Sequence, residues 1–136
     1  MNSLNSILLE GNLTRAPETK QLPSGSTCCN FSVASNRFYR ASDALQKEVS
    51  FFDVECWSGL ADRCAQELDK GRGVRVVGRL KQDRWVDQDG QNRSKIKIVA
   101  EHVEFKPIFN KDHGDAEEDH DESLALESGA LEESPV

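Results

Sequence analysis

Apolar and polar residues alternate most strictly between Val74 and Trp85, with Val74, Val76 and Leu80 at even positions and Arg75, Arg79, Lys81 and Trp85 at odd ones. Successive side chains of a strand point to opposite sides. The run therefore predicts a strand with a core face of Val74, Val76 and Leu80 and a solvated face carrying three cations and a tryptophan. A weaker alternation spans residues 6–13, and Pro17, Pro23, Ser24 and Gly25 then mark a turn-rich connection. From Cys28, the set Cys29, Phe31 and Val33 alternates with Asn30, Ser32 and Ala34, predicting a half-buried strand that continues toward Tyr39. The polar stretch 40–47 reads as a loop. Over residues 49–57, Phe52, Val54 and Cys56 fall on one side and Phe51, Asp53, Glu55 and Trp57 on the other. The two carboxylates mark the second set as the solvated one, which leaves Phe51 and Trp57 as exposed rings. Such rings commonly mark an interface, either with a ligand or with a protein.

Leu60, Cys64 and Leu68 recur every four residues with Ala61 and Ala65 beside them, so a helix follows, with Ser58 as its N-cap and Gly71 as its stop. Beyond Trp85, Asp89-Gly90 supplies a turn that joins the strand to a second arm, residues 93–99. That arm sends Arg93, Lys95 and Lys97 to one side and Ile96 and Ile98 to the other. Strand, strand, strand, helix, strand, strand matches an all-β, five-stranded Greek-key barrel with one short helix, the OB fold. A twisted sandwich carrying one helix would leave similar marks.

Charge changes the picture. The chain of 136 residues has a net charge of −7, which argues against a polyanionic partner until it is divided. Residues 1–109 hold 16 Lys and Arg against 14 Asp and Glu, whereas residues 110–136 hold 1 against 10. The acidity belongs to the tail. Residues 112–122 are an acidic run and residues 127–136 are polar, too poor in apolar side chains to offset chain entropy. The expected organisation is one domain over residues 1–107 and a disordered acidic tail over residues 108–136.

Cys28, Cys29, Cys56 and Cys64 include no C-x-x-C pair and read as small buried hydrophobes, not as a disulfide or zinc framework. The polar start is not a targeting peptide, and no apolar run reaches the ~18–20 residues of a membrane span. A cytoplasmic protein without membrane contact is expected. His102, His113 and His120 have no partnered nucleophile motif, and Asp112-His113 and Asp119-His120-Asp121 are the sort of dipeptide and tripeptide that acidic tails contain by chance. Neither catalysis, a metal nor another cofactor is expected. Gly71-Arg72-Gly73 is a helix stop and turn, not a phosphate loop.

The remaining signal is convergence: several strands each bring cations and aromatic rings to one side. Such a face suits a ligand that is anionic and flat. Single-stranded nucleic acid is both, since phosphates attract Arg and Lys while each base stacked on a ring contributes ~1–3 kcal/mol. A protein-interaction module that buries Phe51 and Trp57 against a partner is one alternative; a nuclease or nucleotide-dependent enzyme is a second, for which the sequence offers no carboxylate cluster on a rigid element.

Cys29-Asn30-Phe31-Ser32-Val33-Ala34, residues 51–57 followed by Ser58-Gly59-Leu60-Ala61, Lys70-Gly71-Arg72, Val76-Val77-Gly78-Arg79-Leu80 and Arg84-Trp85-Val86-Asp87-Gln88-Asp89-Gly90 resemble the bacterial single-stranded DNA-binding protein family. The resemblance covers residues 1 to about 106. It implies an OB-fold homotetramer that wraps single-stranded DNA in replication, recombination and repair. It places the base-stacking rings on Tyr39, Phe51, Trp57 and Trp85, and phosphate contacts on Arg37, Arg72, Arg79, Lys81, Arg84, Lys95 and Lys97. Asp83 interrupts a stretch that is often basic in the family, and Arg75 is a candidate to compensate. The tail resembles the acidic segment through which family members recruit replication and repair proteins. Its tip, with Glu132, Glu133, Pro135 and Val136, keeps acidity and proline but ends in valine where the family has phenylalanine.

Overall fold

In the computed structural model, which describes residues 1–108, the strands are β1 (Ile7–Leu13), β2 (Glu18–Gln21), β3 (Thr27–Ala41), β4 (Ala44–Trp57), β5 (Gly73–Val86) and β6 (Asn92–Phe105). A single helix, α1 (Ser58–Glu67), links β4 to β5. The sheet runs β1-β5-β6-β4-β3-β2, and a further pairing of β1 with β3 closes it. Five strands thus form the barrel, with β4 and β6 as its one parallel neighbour pair. The short β2 lies along β3 beside residues 27–30, while β1 meets β3 at Ala34 and Val33. Sequence reasoning missed β2 because all four of its residues, Glu-Thr-Lys-Gln, are exposed and carry no alternation.

The core collects the inward sets of these strands: Leu13, Phe31, Val33, Val54, Val74, Val76, Ile98, Ala100 and Val103. From its own sequence α1 adds Ala61 and Cys64, and Leu68 follows at its C-terminal end. The four cysteines are free and buried, as their apolar reading expects. Two glycines permit the closure. A Cβ on Gly11 would collide with the Ala34 carbonyl oxygen, and one on Gly78 would collide with that of Val99. Gly78 also marks the irregularity where Val77 faces His102 but Gly78 faces Ala100, so Glu101 is an extra residue in β6.

Three local expectations are corrected. Residues 40–47 are not a loop: β3 and β4 stay paired out to Ala41 and Ala44, and the turn is only Ser42 and Asp43, at φ of 54° and 64°. Two successive positive φ values give the twist a two-residue hairpin turn needs. The arm hid from periodicity because most of its residues are exposed on both sides. Leu80 is not core; it is 45% exposed, at the point where β5 and β6 leave the barrel as a second arm. There its backbone N–H donates to Asn5 Oδ1 and its carbonyl accepts from Asn5 Nδ2, at 2.9 and 2.8 Å. Finally, Ser58 makes no capping bond: it lies at φ 57°, and extended Trp57 takes the N-cap position. Gly71 serves in the turn after the helix, at φ 86°, with its N–H donating to the Leu13 carbonyl.

Candidate nucleic-acid interface

Register fixes which side chains share a face. Val54 pairs with Ile98 and Glu55 with Val99 across β4 and β6, while Lys81, Asp83 and Trp85 pair with Lys97, Lys95 and Arg93 across β5 and β6. With alternate residues on one side, β4 presents Phe51, Asp53, Glu55 and Trp57. On the same side β5 presents Arg79, Lys81, Asp83 and Trp85, and β6 presents Arg93, Lys95 and Lys97. Phe51, Trp85 and Trp57 are 66%, 48% and 37% exposed, open enough for a base to lie against each ring.

The charges on this face are interlocked. Lys95 Nζ is 2.7 Å from Asp53 Oδ2, and Lys97 Nζ lies 2.8 Å from both Glu55 Oε2 and Asp83 Oδ2. Lys81 stands 3.5 Å from Asp83, and Arg79 is 3.9 Å from Glu101. Glu55 is itself buried, and its second oxygen accepts a hydrogen bond from Trp57 Nε1 at 3.1 Å. Burial pushes the Lys97 ammonium toward deprotonation, but hydrogen bonds to Asp83 and Glu55 outweigh it and hold its pKa above the ordinary lysine value. The same contact with Lys97 holds the Asp83 carboxyl below the usual carboxylate range.

The other predicted positions lie elsewhere. Tyr39 sits on the β3–β4 arm in the series Val33, Ser35, Arg37, the side opposite to Phe51 by register. There the Arg37 guanidinium lies 4.9 Å from the Tyr39 ring centre and 3.3 Å from Glu48. Arg84 falls on the reverse side of its arm from Trp85 and bonds to Gln82 at 3.1 and 3.3 Å. Arg72 donates to the carbonyls of Lys106 and Glu67 at 2.9 and 3.2 Å, tying the end of α1 to that of β6. Arg75 bridges Glu10 and Glu104, at 3.1 and 3.3 Å. Sequence reasoning missed two residues on the aromatic side. Phe38, exposed, pairs with Lys47 and continues the series Ser32, Ala34, Asn36, so extending the alternation would find it. Glu55 is buried where its carboxylate predicts solvation, and nothing local in the sequence shows that Lys97 covers it.

A family model, the single-strand binding protein family, matches residues 4–106. The chain belongs to this family. Relatives include the single-stranded DNA-binding protein of Treponema pallidum, 42% identical over 77% of this chain and 59% of that protein. Single-stranded DNA-binding protein 2 of Chlorobaculum tepidum is 38% identical over 87% of this chain and 81% of its own. The chain thus spans about three fifths of the length of the Treponema relative. Among solved structures, a Plasmodium falciparum SSB complex with ssDNA superposes with a TM-score of 0.73 at 26% identity, covering 79% of this chain and 98% of that one. The barrel with its one helix is accordingly the OB fold. The family match ends at the last strand, and the tail tip at Glu132, Glu133, Pro135 and Val136 lies outside the described residues. Among the described residues there is no group of three or more potential metal ligands, and no helix is long and apolar enough to cross a membrane.

Proposed function

We propose that this protein binds single-stranded DNA without sequence preference and without catalysis. One observation carries the reading: Phe51, Trp57 and Trp85 lie open on a single face, with lysines and arginines between them. Stacking on rings tolerates any base, while the cations attract the backbone that all sequences share. The solved relative in complex with ssDNA supports the same ligand. Tyr39 and Arg37, on the outlying β3–β4 arm, extend the path for DNA past the barrel. The reading includes assembly as a homotetramer, action in cytoplasmic DNA replication, recombination and repair, and recruitment of partner proteins by the acidic tail through Glu132, Glu133, Pro135 and Val136.

Competition against a labelled oligothymidine, read by fluorescence anisotropy, tests the binding. Unlabelled single strands of mixed sequence should displace the probe as well as oligothymidine does, and duplex of equal length should fail. Displacement by duplex as effective as by single strand would overturn the reading. Light scattering of the same sample checks the tetramer, which a mass of one chain would refute.

A further inference from the structure

A site for a polyanion contains a buried carboxylate. Glu55 is only 8% exposed, yet it lies on the face that carries Phe51, Trp57 and Trp85. An anion there repels phosphate, and its burial is costly unless both oxygens are partnered. Both are: Oε1 accepts from the Trp57 indole N–H at 3.1 Å and Oε2 from Lys97 Nζ at 2.8 Å. Lys97 continues to Asp83 at 2.8 Å, so one chain of contacts runs from the ring at the end of β4, over β6, to the β5 arm.

We infer that Glu55 is a positioning residue of the binding face, fixing the Trp57 indole in its stacking orientation through one oxygen and anchoring Lys97 through the other. The inference rests on the single-stranded DNA reading and specifies how one of its rings is prepared. Trp57 is the last residue of β4, followed by Ser58 in the left-handed region at φ 57°, so its backbone direction is set by the turn into α1. A ring that is 37% exposed still needs a polar anchor to hold its plane. Lys97 cancels the charge of the anchor, which allows a carboxylate to serve inside a phosphate-binding face. A ring ordered before binding loses less rotamer freedom on stacking, an effect of about 2- to 10-fold in affinity.

The test has a part that needs no variant. By NMR, the Trp57 indole N–H should exchange with deuterated water more slowly than that of Trp85; equal or faster exchange overturns the inference. In a Trp85→Phe background, where Trp57 is the only tryptophan, time-resolved anisotropy should show a ring as still in Glu55→Gln as in the parent and freer in Glu55→Leu. Glutamine keeps an oxygen for the indole, whereas leucine keeps none. Oligothymidine affinity should fall about 2- to 10-fold in Glu55→Leu and recover in Glu55→Gln. Identical ring motion and affinity in both variants would show that Glu55 only fills space. If the unsubstituted chain itself binds no oligothymidine while its Trp57 indole exchange stays slow, the DNA-binding reading falls, and with it the role assigned to Glu55.

Discussion

Asp83 stands between two lysines on the aromatic face, 2.8 Å from Lys97 and 3.5 Å from Lys81. Asp83 is ionised across the neutral range like any aspartate, and its pairing with Lys97 and Lys81, which holds its pKa lower still, occupies ammonium groups that on the proposed function a phosphate would take. Because the folded value lies below the unfolded one, near ~3.9, its ion pairs stabilise the fold at neutral pH and are lost as pH falls through the folded pKa. Asp83→Asn removes the competitor and leaves both lysines in place. Single-stranded DNA should bind it more tightly at low salt, and the slope of log affinity against log salt should steepen by about 0.7 for each further phosphate neutralised on the single strand. An unchanged slope would show that Lys81 and Lys97 do not reach the backbone. Trp57, Trp85 and Phe51 are legible in the sequence because a strand alternates and an exposed ring among charges stands out. The role of Glu55 is not, since Lys97 is 42 positions away and the contact exists only once β4 lies beside β6. The role of Tyr39 comes from family resemblance alone; its side of the hairpin depends on a register that local pattern does not give.

The two hairpin arms show where periodicity stops reporting. It works where one face meets the core, as at Val74 and Val76, and fails where both faces meet water, as at residues 40–47 and at Leu80. The Asp89-Gly90 turn is readable because Gly90 takes φ of 79°, a region glycine enters freely. The Ser42-Asp43 turn is not, since neither residue advertises its positive φ. Gly78 fixes the meeting of β5 and β6 beneath the second arm. With the Val99 carbonyl oxygen in the way of any added Cβ, Gly78→Ala should destabilise the protein by about 1–3 kcal/mol in urea denaturation. Gly59→Ala is the control: nothing lies within 4 Å of its Cβ and the site is helical, so stability should hold or rise by up to about 1 kcal/mol. Equal losses in the two variants would mean that close approach at Gly78 is not what matters.

Across the whole chain, charge segregates: residues 1–109 hold 16 cations against 14 carboxylates, and residues 110–136 hold 1 against 10. A barrel of nearly balanced charge does not grip a polyanion by net attraction. On the proposed function its affinity comes from rings on one face and from cations that exchange carboxylate partners for phosphates, and salt dependence measures the second contribution. The most direct measurement is the tryptophan fluorescence of the full chain during titration with oligothymidine at low and at high salt. Trp57 and Trp85, the two tryptophans of the sequence, should be strongly and saturably quenched at low salt, and added salt should shift the midpoint to higher DNA concentration without abolishing the quench at saturation. Folded protein whose fluorescence stays unchanged at saturating oligothymidine would contradict stacking on this face.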